Sequence, residues 1–415
     1  MPVAFTIGYA SIFFSAIIYW LSSSMIRPVM SLYFADEGYA ALTIGLFMAL
    51  NSVLPILLAM PMGSWIDRVG TRKAVGLGSV IGLTSGAAFL IGANQANILI
   101  VLAGQIVNGI GGTLSWGALQ AAVSLSVVNQ PKTSKSKGNH ILSNFTFFNS
   151  LAQMAGPALG GVLSDSGGYP TLFYVFFAMN LIALLGVGFI PSVKKKEKEN
   201  PSTIVKAAPW GSAMWKSYVD GYHLMRQNKS FATAIILNGI MFMLIDVRTT
   251  FFPLYLSDTG FSHTAIGMVL SISTLGTLLV RPVTGYAITW LGHYRIMLFS
   301  ILTGGICLVL LALNPWFWIL TIVMFVWGVC TGINQPMALI MVSQAVEPKE
   351  QGMGMSIRTM STRIVQMANP VLFGTLSTAI GLTLGFGVMG ILLLIIGGVY
   401  RRQNRLTENV HYKAS

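Results

Sequence analysis

Six ionisable side chains interrupt long apolar stretches of this chain: Arg27, Asp246, Arg248, Arg281, Arg358 and Arg363. An ionisable group inside a lipid-spanning segment costs roughly 2.5–3.5 kcal/mol on insertion scales unless it faces a partner or a wet cavity. Asp246 is the only acid among the six. A carboxylate in a low-dielectric setting can lose and regain a proton during a working cycle, whereas a guanidinium stays protonated. Asp246 is therefore the candidate for carrying a proton. A second role stands beside the first: permanent counter-ion to Arg27 or Arg248. Arg248 is two residues from Asp246 and belongs to a different helix face. Arg363 is a candidate for attracting an anionic group of a ligand or for a structural contact. Arg281 and Arg358 lie near the ends of their stretches, where long cationic side chains reach the interface.

Other chemistries find no support. Cys307 and Cys330 both sit inside apolar runs, as buried small hydrophobes do, and suggest neither a disulfide nor a metal site. His140, His223, His263, His293 and His411 fall at loops or span ends without metal-ligand spacing. The chain has no G-x-x-x-x-G-K-[ST] loop for a nucleotide. No nucleophile paired with a base is visible either. The expectation is a protein that is not an enzyme and has no cofactor and no metal. Trp116, Phe147, Phe148, Met241, Phe242 and Met243 suit an adaptable cavity wall, and equally suit helix packing or lipid contact.

The elements that must position these groups are membrane spans. Of 415 residues, 54% are hydrophobic and 9% charged, against about 25% charged in a soluble domain. The mean hydropathy is +0.71. A span needs roughly 20 apolar residues, and twelve stretches qualify: 8–33, 42–63, 74–93, 97–123, 141–164, 170–191, 231–256, 264–288, 296–313, 316–340, 354–378 and 382–400. Residues 1–7 lack a basic run and no small-residue cleavage site follows, so the first stretch is expected to be a retained span rather than a signal peptide.

Twelve spans put both termini on one side, and the loops say which. One side receives Arg68, Arg72, Lys73, Lys132, Lys135, Lys137, the basic 192–230 segment, Arg295, Lys349 and the tail with Arg401, Arg402, Arg405 and Lys413. The other receives Asp36, Glu37, Asp165 and Asp258 and no Lys or Arg. By the positive-inside rule the basic side is cytoplasmic, which places both termini in the cytoplasm of a multi-pass plasma-membrane protein. The net charge of +13 is thereby explained by orientation in a lipid bilayer, without nucleic acid. The 192–230 segment opens with KKKEKEN and continues as a polar linker. Its end, WKSYVDGYHLMRQNKSF, fits a connecting loop or an amphipathic helix on the membrane surface.

The two halves repeat. A shift of 222 overlays RPVMSLYFADEGYAALTIGLFM on TTFFPLYLSDTGFSHTAIGMVL. It aligns Asp36 with Asp258, Gly38 with Gly260, Gly45 with Gly267, and Gly70 with Gly292. A shift of 213 overlays LAQMAGPALGGVL on IVQMANPVLFGTL, aligning Pro157 with Pro370 and Gly161 with Gly374. The expected organisation is a six-span bundle over 1–191, a linker over 192–230, a second bundle over 231–400 and a tail over 401–415. The 222 shift sets Asp246 level with Ser24. Arg27 then lies about one turn further toward the acidic side, which makes an Arg27–Asp246 pair geometrically reasonable.

Between the second and third spans runs G-x-x-x-D-R-x-G-x-R-K, with Gly63, Asp67, Arg68, Gly70, Arg72 and Lys73. This loop resembles the signature loop of the major facilitator superfamily, and the similarity extends over nearly the whole chain. The resemblance implies an all-α fold of twelve transmembrane helices in two pseudo-symmetric bundles, with a substrate site near the midplane between them. It also implies that Asp67 lies near the start of the eleventh span, where a helix N-terminus favours a carboxylate. Arg68, Arg72 and Lys73 would pair across the halves and latch the cytoplasmic side shut when the other side is open. Asp67→Asn should then slow the transport cycle without abolishing substrate binding, which separate flux and binding assays would measure.

The fifth span carries Gly156, Pro157, Gly160 and Gly161 in MAGPALGGVL. This run resembles the antiporter motif of the drug:proton exporters in that superfamily; close packing of small residues and a proline bend would also explain it. The chain departs from the exporter pattern in the fourth span, where Gln105 stands in place of an Arg that the family assigns to proton coupling. Arg27 is a candidate to replace that charge. The resemblance implies a proton-driven, monomeric exporter of small amphipathic molecules, with Arg27, Asp246, Arg363 and Gln105 lining the cavity and Asp246 with Arg27 coupling protons. Import of solutes, or export of organic anions or metallophores, on the same fold is the first alternative. A non-transporting membrane receptor or enzyme is the second.

Overall fold

The computed structural model describes residues 3–128, 135–190, 219, 223–313, 316–346 and 351–414. Among these the chain is helical almost throughout, without a strand. The first four helices are α1 (Val3–Asp36), α2 (Ala41–Val69), α3 (Thr71–Asn94) and α4 (Ile98–Val128). The continuous stretch Lys135–Gly186 is bent at Gly168 into α5 (135–167) and α6 (169–186). α7 (Lys229–Thr250) runs on into Phe252–Asp258. His263–Ala312 is bent at Gly292 into α8 (263–291) and α9 (293–312). α10 (Phe317–Gly332) continues into Asn334–Ala345, and α11 (Gln351–Ile380) and α12 (Leu382–Ala414) complete the chain.

Nine stretches among the described residues are long and apolar enough to cross a membrane, and one of them, Asn144–Phe189, contains the bend at Gly168. Phe317–Gly332 is a shorter apolar helix. α11 has 30 residues, and Arg358 and Arg363 interrupt its apolar character. Each of the twelve stretches expected from hydropathy falls mainly on helix. The 192–218 part of the linker, with its basic run, lies outside the described residues.

The turns explain why the chain reverses where it does. Gly70 has φ 93 and Gly292 φ 76, with ψ 153 and 157, a left-handed region that a Cβ disfavours. The 222 shift aligns these two residues, so the same turn is used twice. Capping fixes two starts: the Asn228 side chain accepts from Phe231 N at 2.9 Å, and that of Ser262 from Ala265 N at 3.3 Å.

α1 packs along α5, α3 along α4, α7 along α11, both α8 and α9 along α10, and α9 along α12. Two seams join the halves: α2 against α11, and α5 against α8. The core is aliphatic and aromatic, with Trp327, Phe34, Phe251, Phe252 and Phe386 fully buried. Cys307 and Cys330 are buried free thiols inside this apolar packing.

Candidate functional site

At the centre of the bundle Arg27 of α1 donates to Asp246 Oδ1 of α7. Asn369 of α11 donates through Nδ2 to Asp246 Oδ2 at 3.0 Å and to the Met243 carbonyl at 3.3 Å. Each carboxylate oxygen therefore has its own donor, one cationic and one neutral. Asp246 is 1% exposed, whereas Arg27 retains 35% of its side-chain surface. The acid is shut in and its counter-ion reaches toward solvent. A carboxylate so held can exist charged only while a donor occupies it, so losing or gaining a proton here must rearrange its neighbours.

The other arginines are anchored separately. Arg248 is buried, and its Nη1 donates to Ser273 at 2.8 Å and to Thr331 at 3.2 Å. It ties α7 to α8 and α10 and does not pair with Asp246. Arg281 donates to Ser150 of α5. Arg363 donates to Gln366 at 3.2 Å and lies within electrostatic reach of Tyr19 and Arg27. Beside it an aromatic column runs through the first half. Tyr19 stacks on Trp116 at 5.9 Å, and Trp116 on Phe145 at 6.0 Å. The structure thus gathers Arg27, Asp246 and Arg363 around one central region.

Gln105 is placed elsewhere. It is 3% exposed, its side-chain amide rests on Met48 Sδ at 3.7 Å, and its backbone carbonyl accepts from Asn51 Nδ2 at 3.2 Å. A neutral amide with no charged partner packs readily between α4 and α2, and it offers a ligand almost no surface there. Asn369 was not among the residues that sequence reasoning selected. The signal for it lay in the repeat: the 213 shift aligns Asn369 with Gly156, and the 222 shift aligns Asp246 with Ser24. Gly156 in fact sits against Ser24, where an added Cβ would collide with Ser24 Oγ and Met25 N. The same crossing therefore holds Gly on Ser in one half and Asn on Asp in the other.

The MAGPALGGVL run divides its work. Gly156 and Gly160 seat α5 on α1, where a Cβ at Gly160 would lie 2.8 Å from the Met25 carbonyl. Pro157 and Gly161 face α8 instead: the Pro157 carbonyl touches Gly267, and Gly161 touches the His263 carbonyl. The second seam repeats both contacts, with the Pro370 carbonyl against Gly45 and Gly374 against the Ala41 carbonyl. These contacts lie toward the acid-bearing end. They are reinforced there by Leu42 N donating to Thr378 Oγ1 at 3.0 Å and Thr264 N donating to Asp165 at 2.7 Å. His263 stands between Asp36 and Asp165, 3.6 Å from each, and Tyr169 donates to Asp36. The molecule is closed at this end.

At the basic end, Arg68, Arg72 and Lys73 are exposed. No ion pair involves them among the described residues. Beyond their helical backbone, Gly63 and Asp67 lie outside what is described, as do residues 347–350 ahead of α11.

The family model of the Major Facilitator Superfamily matches residues 12–261 and again 235–410. The chain belongs to this superfamily. It is a multi-pass membrane transporter rather than an enzyme. It is 18% identical over 407 residues to the quinolone resistance protein NorA of Staphylococcus aureus, covering 94% of this chain and 96% of NorA. It is 22% identical over 332 residues to a Na(+), Li(+), K(+)/H(+) antiporter of Planococcus maritimus, covering 73% of each. Among solved structures it resembles the nucleoside transporter NupG with a TM-score of 0.74, at 14% identity over 95% of this chain and 98% of that one. At that identity the likeness speaks for the fold alone. The superfamily member described here is a transporter of small molecules.

Proposed function

We propose that this transporter exports small amphipathic molecules from the cytoplasm in exchange for protons, as a monomer in the plasma membrane with both termini inside. Residues 1–191 and 231–400 rock against each other about the central region, and residues 192–230 link them. Asp246 carries the proton and Arg27 is the cation it exchanges for that proton. The observation that carries this reading is the enclosed Arg27–Asp246 pair, which joins α1 to α7 across the two halves. NorA and the Planococcus antiporter, whose names denote quinolone resistance and cation–proton exchange, support outward exchange.

The cycle follows from the charges. With the acid-bearing end closed, an unprotonated Asp246 is neutralised by Arg27, and the chamber can receive a substrate from the basic end. After the substrate leaves on the acidic side, a proton from that side neutralises Asp246 and allows the return. Efflux in vesicles with an imposed pH gradient tests this directly. Inward proton flow should stimulate outward movement of amphipathic dyes, and collapse of the gradient should stop it. Binding without flux in either direction would defeat the reading and favour a receptor.

Arg363 motivates a second reading, in which the same fold imports solutes or exports organic anions or metallophores. Its guanidinium lies near Arg27 with only a neutral amide as hydrogen-bond partner among the described residues. Arg363→Gln should weaken binding of an anionic compound about tenfold or more while leaving a matched neutral one unchanged. Equal loss for both would assign Arg363 to structure.

A further inference from the structure

We propose that His263 is a pH-sensitive clasp at the acid-bearing end, holding α8 onto α1 and α5 when its imidazole is protonated. The inference goes beyond the exchange reading above and does not depend on which residue carries the coupled proton. His263 is the first residue of α8, in the second half of the chain. Its Nε2 lies 3.6 Å from Asp36 Oδ2 of α1, and its Nδ1 lies 3.6 Å from Asp165 Oδ1 of α5. Both acids belong to the first half, so this one ring bridges the two halves where they close. Its Nδ1 is buried and has no hydrogen-bond partner among the described residues. The acid-bearing side receives no Lys or Arg, so His263 is the side chain there that can become a cation.

The direction of the effect follows from the ring's donors and the groups around it. Asp36 faces it from α1, with Glu37 next in the chain; Asp165 faces it from α5; Tyr169 of α6 lies 5.6 Å away, ring to ring, and donates to Asp36. Asp258 is the remaining acid at this end, shortly before α8. A neutral imidazole has one N–H and one lone pair, so it serves one carboxylate and turns a lone pair toward the other. An imidazolium has two N–H groups and serves both. Opening carries α8 away from α1 and α5 and leaves the ring to water. A proton on His263 therefore stabilises the closed end, and that gain is lost as rising pH removes the proton. Imidazole is the side chain that ordinarily changes charge between pH 5 and 8. His263 keeps 18% of its side-chain surface, so solvent screens the pairs and the closed-to-open ratio gains about threefold. That biases the mouth without locking it. The sense agrees with the proposed cycle: the outer acid that neutralises Asp246 before the return also favours the closure in which the return ends.

The other seam lacks the clasp. The repeat aligns Thr264 with Leu42 and Asp165 with Thr378, and the contact is conserved in kind: Thr264 N donates to Asp165 Oδ2 at 2.7 Å, and Leu42 N to Thr378 Oγ1 at 3.0 Å. At that seam, however, the acceptor is a neutral hydroxyl, and Ala41 stands in the place of His263. Only the α5–α8 seam can respond to pH through these positions.

The test reads closure in the full-length protein. Spin labels on Ala40→Cys and Ala379→Cys, exposed sites beside the α2–α11 contact and away from the clasp, are attached before the pH is varied. Their separation is then measured from pH 8 to pH 5, with the native thiols buried. Asp246→Asn serves as the background, so that the central acid contributes no titration. In it the closed-to-open ratio should rise about threefold on acidification. His263→Gln, which cannot be charged, should flatten the response. His263→Lys, charged throughout, should give at pH 8 the ratio that the background shows at pH 5. A background without a pH response, a response that survives His263→Gln, or a His263→Lys protein as open at pH 8 as the background each overturns the inference. A response present with Asp246 and abolished by Asp246→Asn belongs to the central acid; it defeats the clasp and leaves the exchange reading standing. A clasp that works in Asp246→Asn while gradient-driven efflux also persists there sinks Asp246 as proton carrier and leaves the clasp standing.

Discussion

Replacing Asp246 with Asn should reduce pH-gradient-driven efflux to the level of vesicles without the protein, with substrate affinity within about threefold of the parent, a change under about 1 kcal/mol. The amide keeps the shape of the carboxylate and its one oxygen can still accept from Arg27, with its NH2 turned toward Asn369, but it cannot take up a proton. Without a charge to neutralise, the carrier has no reason to respond to acid on the outer side. Folding is the competing concern. Removing one partner of a fully buried ion pair costs about 3–5 kcal/mol. Here the guanidinium left behind keeps a third of its surface, so water can solvate it and the cost is smaller. Measuring affinity and efflux on the same preparation separates the two effects. Persistent gradient-driven efflux in Asp246→Asn would eliminate Asp246 as the proton carrier.

The second large effect belongs to the seams. Gly267→Val should abolish closure at the acid-bearing end and lower the turnover of transport by more than about tenfold, whatever the substrate. The reason is steric: even the first carbon of a side chain at Gly267 would collide with the Pro157 carbonyl, and backbone on both sides has no rotamer with which to retreat. Overpacking of this kind typically costs about 1–3 kcal/mol. That cost falls on the closed state alone, because the contact exists only when the halves meet. A shift of about 1.4 kcal/mol is already tenfold in population. Gly45→Val, the repeat-related change against Pro370, should act the same way. Labelling of a cysteine placed at the seam should increase in both variants. Normal turnover in Gly267→Val would show that the cycle does not pass through the closure described here.

The sequence carried the fold almost completely, because a membrane leaves little choice: apolar length makes spans, and loop charge orients them. It carried part of the site. Arg27 and Asp246 were visible because charge in an apolar run is rare, and the 222 repeat set them within a turn of each other. Asn369 was hidden because a neutral amide in an apolar helix looks like any packing residue. Only the repeat, which sets it against a crossing occupied by Gly156 and Ser24 in the other half, distinguishes it. Gln105 illustrates the reverse. Its position in a family pattern suggested a cavity residue, whereas its chemistry, an amide without a charged partner, favoured the α2–α4 contact. Arg248 was legible as an intramembrane charge, but its partners are two hydroxyls distant in sequence, Ser273 and Thr331, which no local pattern announces.

The pairing of Arg27 with Asp246 across the halves has an electrical consequence. When Asp246 is ionised, the pair adds no net charge to the middle of the bilayer. When it is protonated, the same depth holds one additional positive charge. Moving one elementary charge through the full membrane voltage is worth about 2.3 kcal/mol per 100 mV. An inside-negative potential should thus speed the proton-carrying return stroke and leave the other stroke nearly untouched.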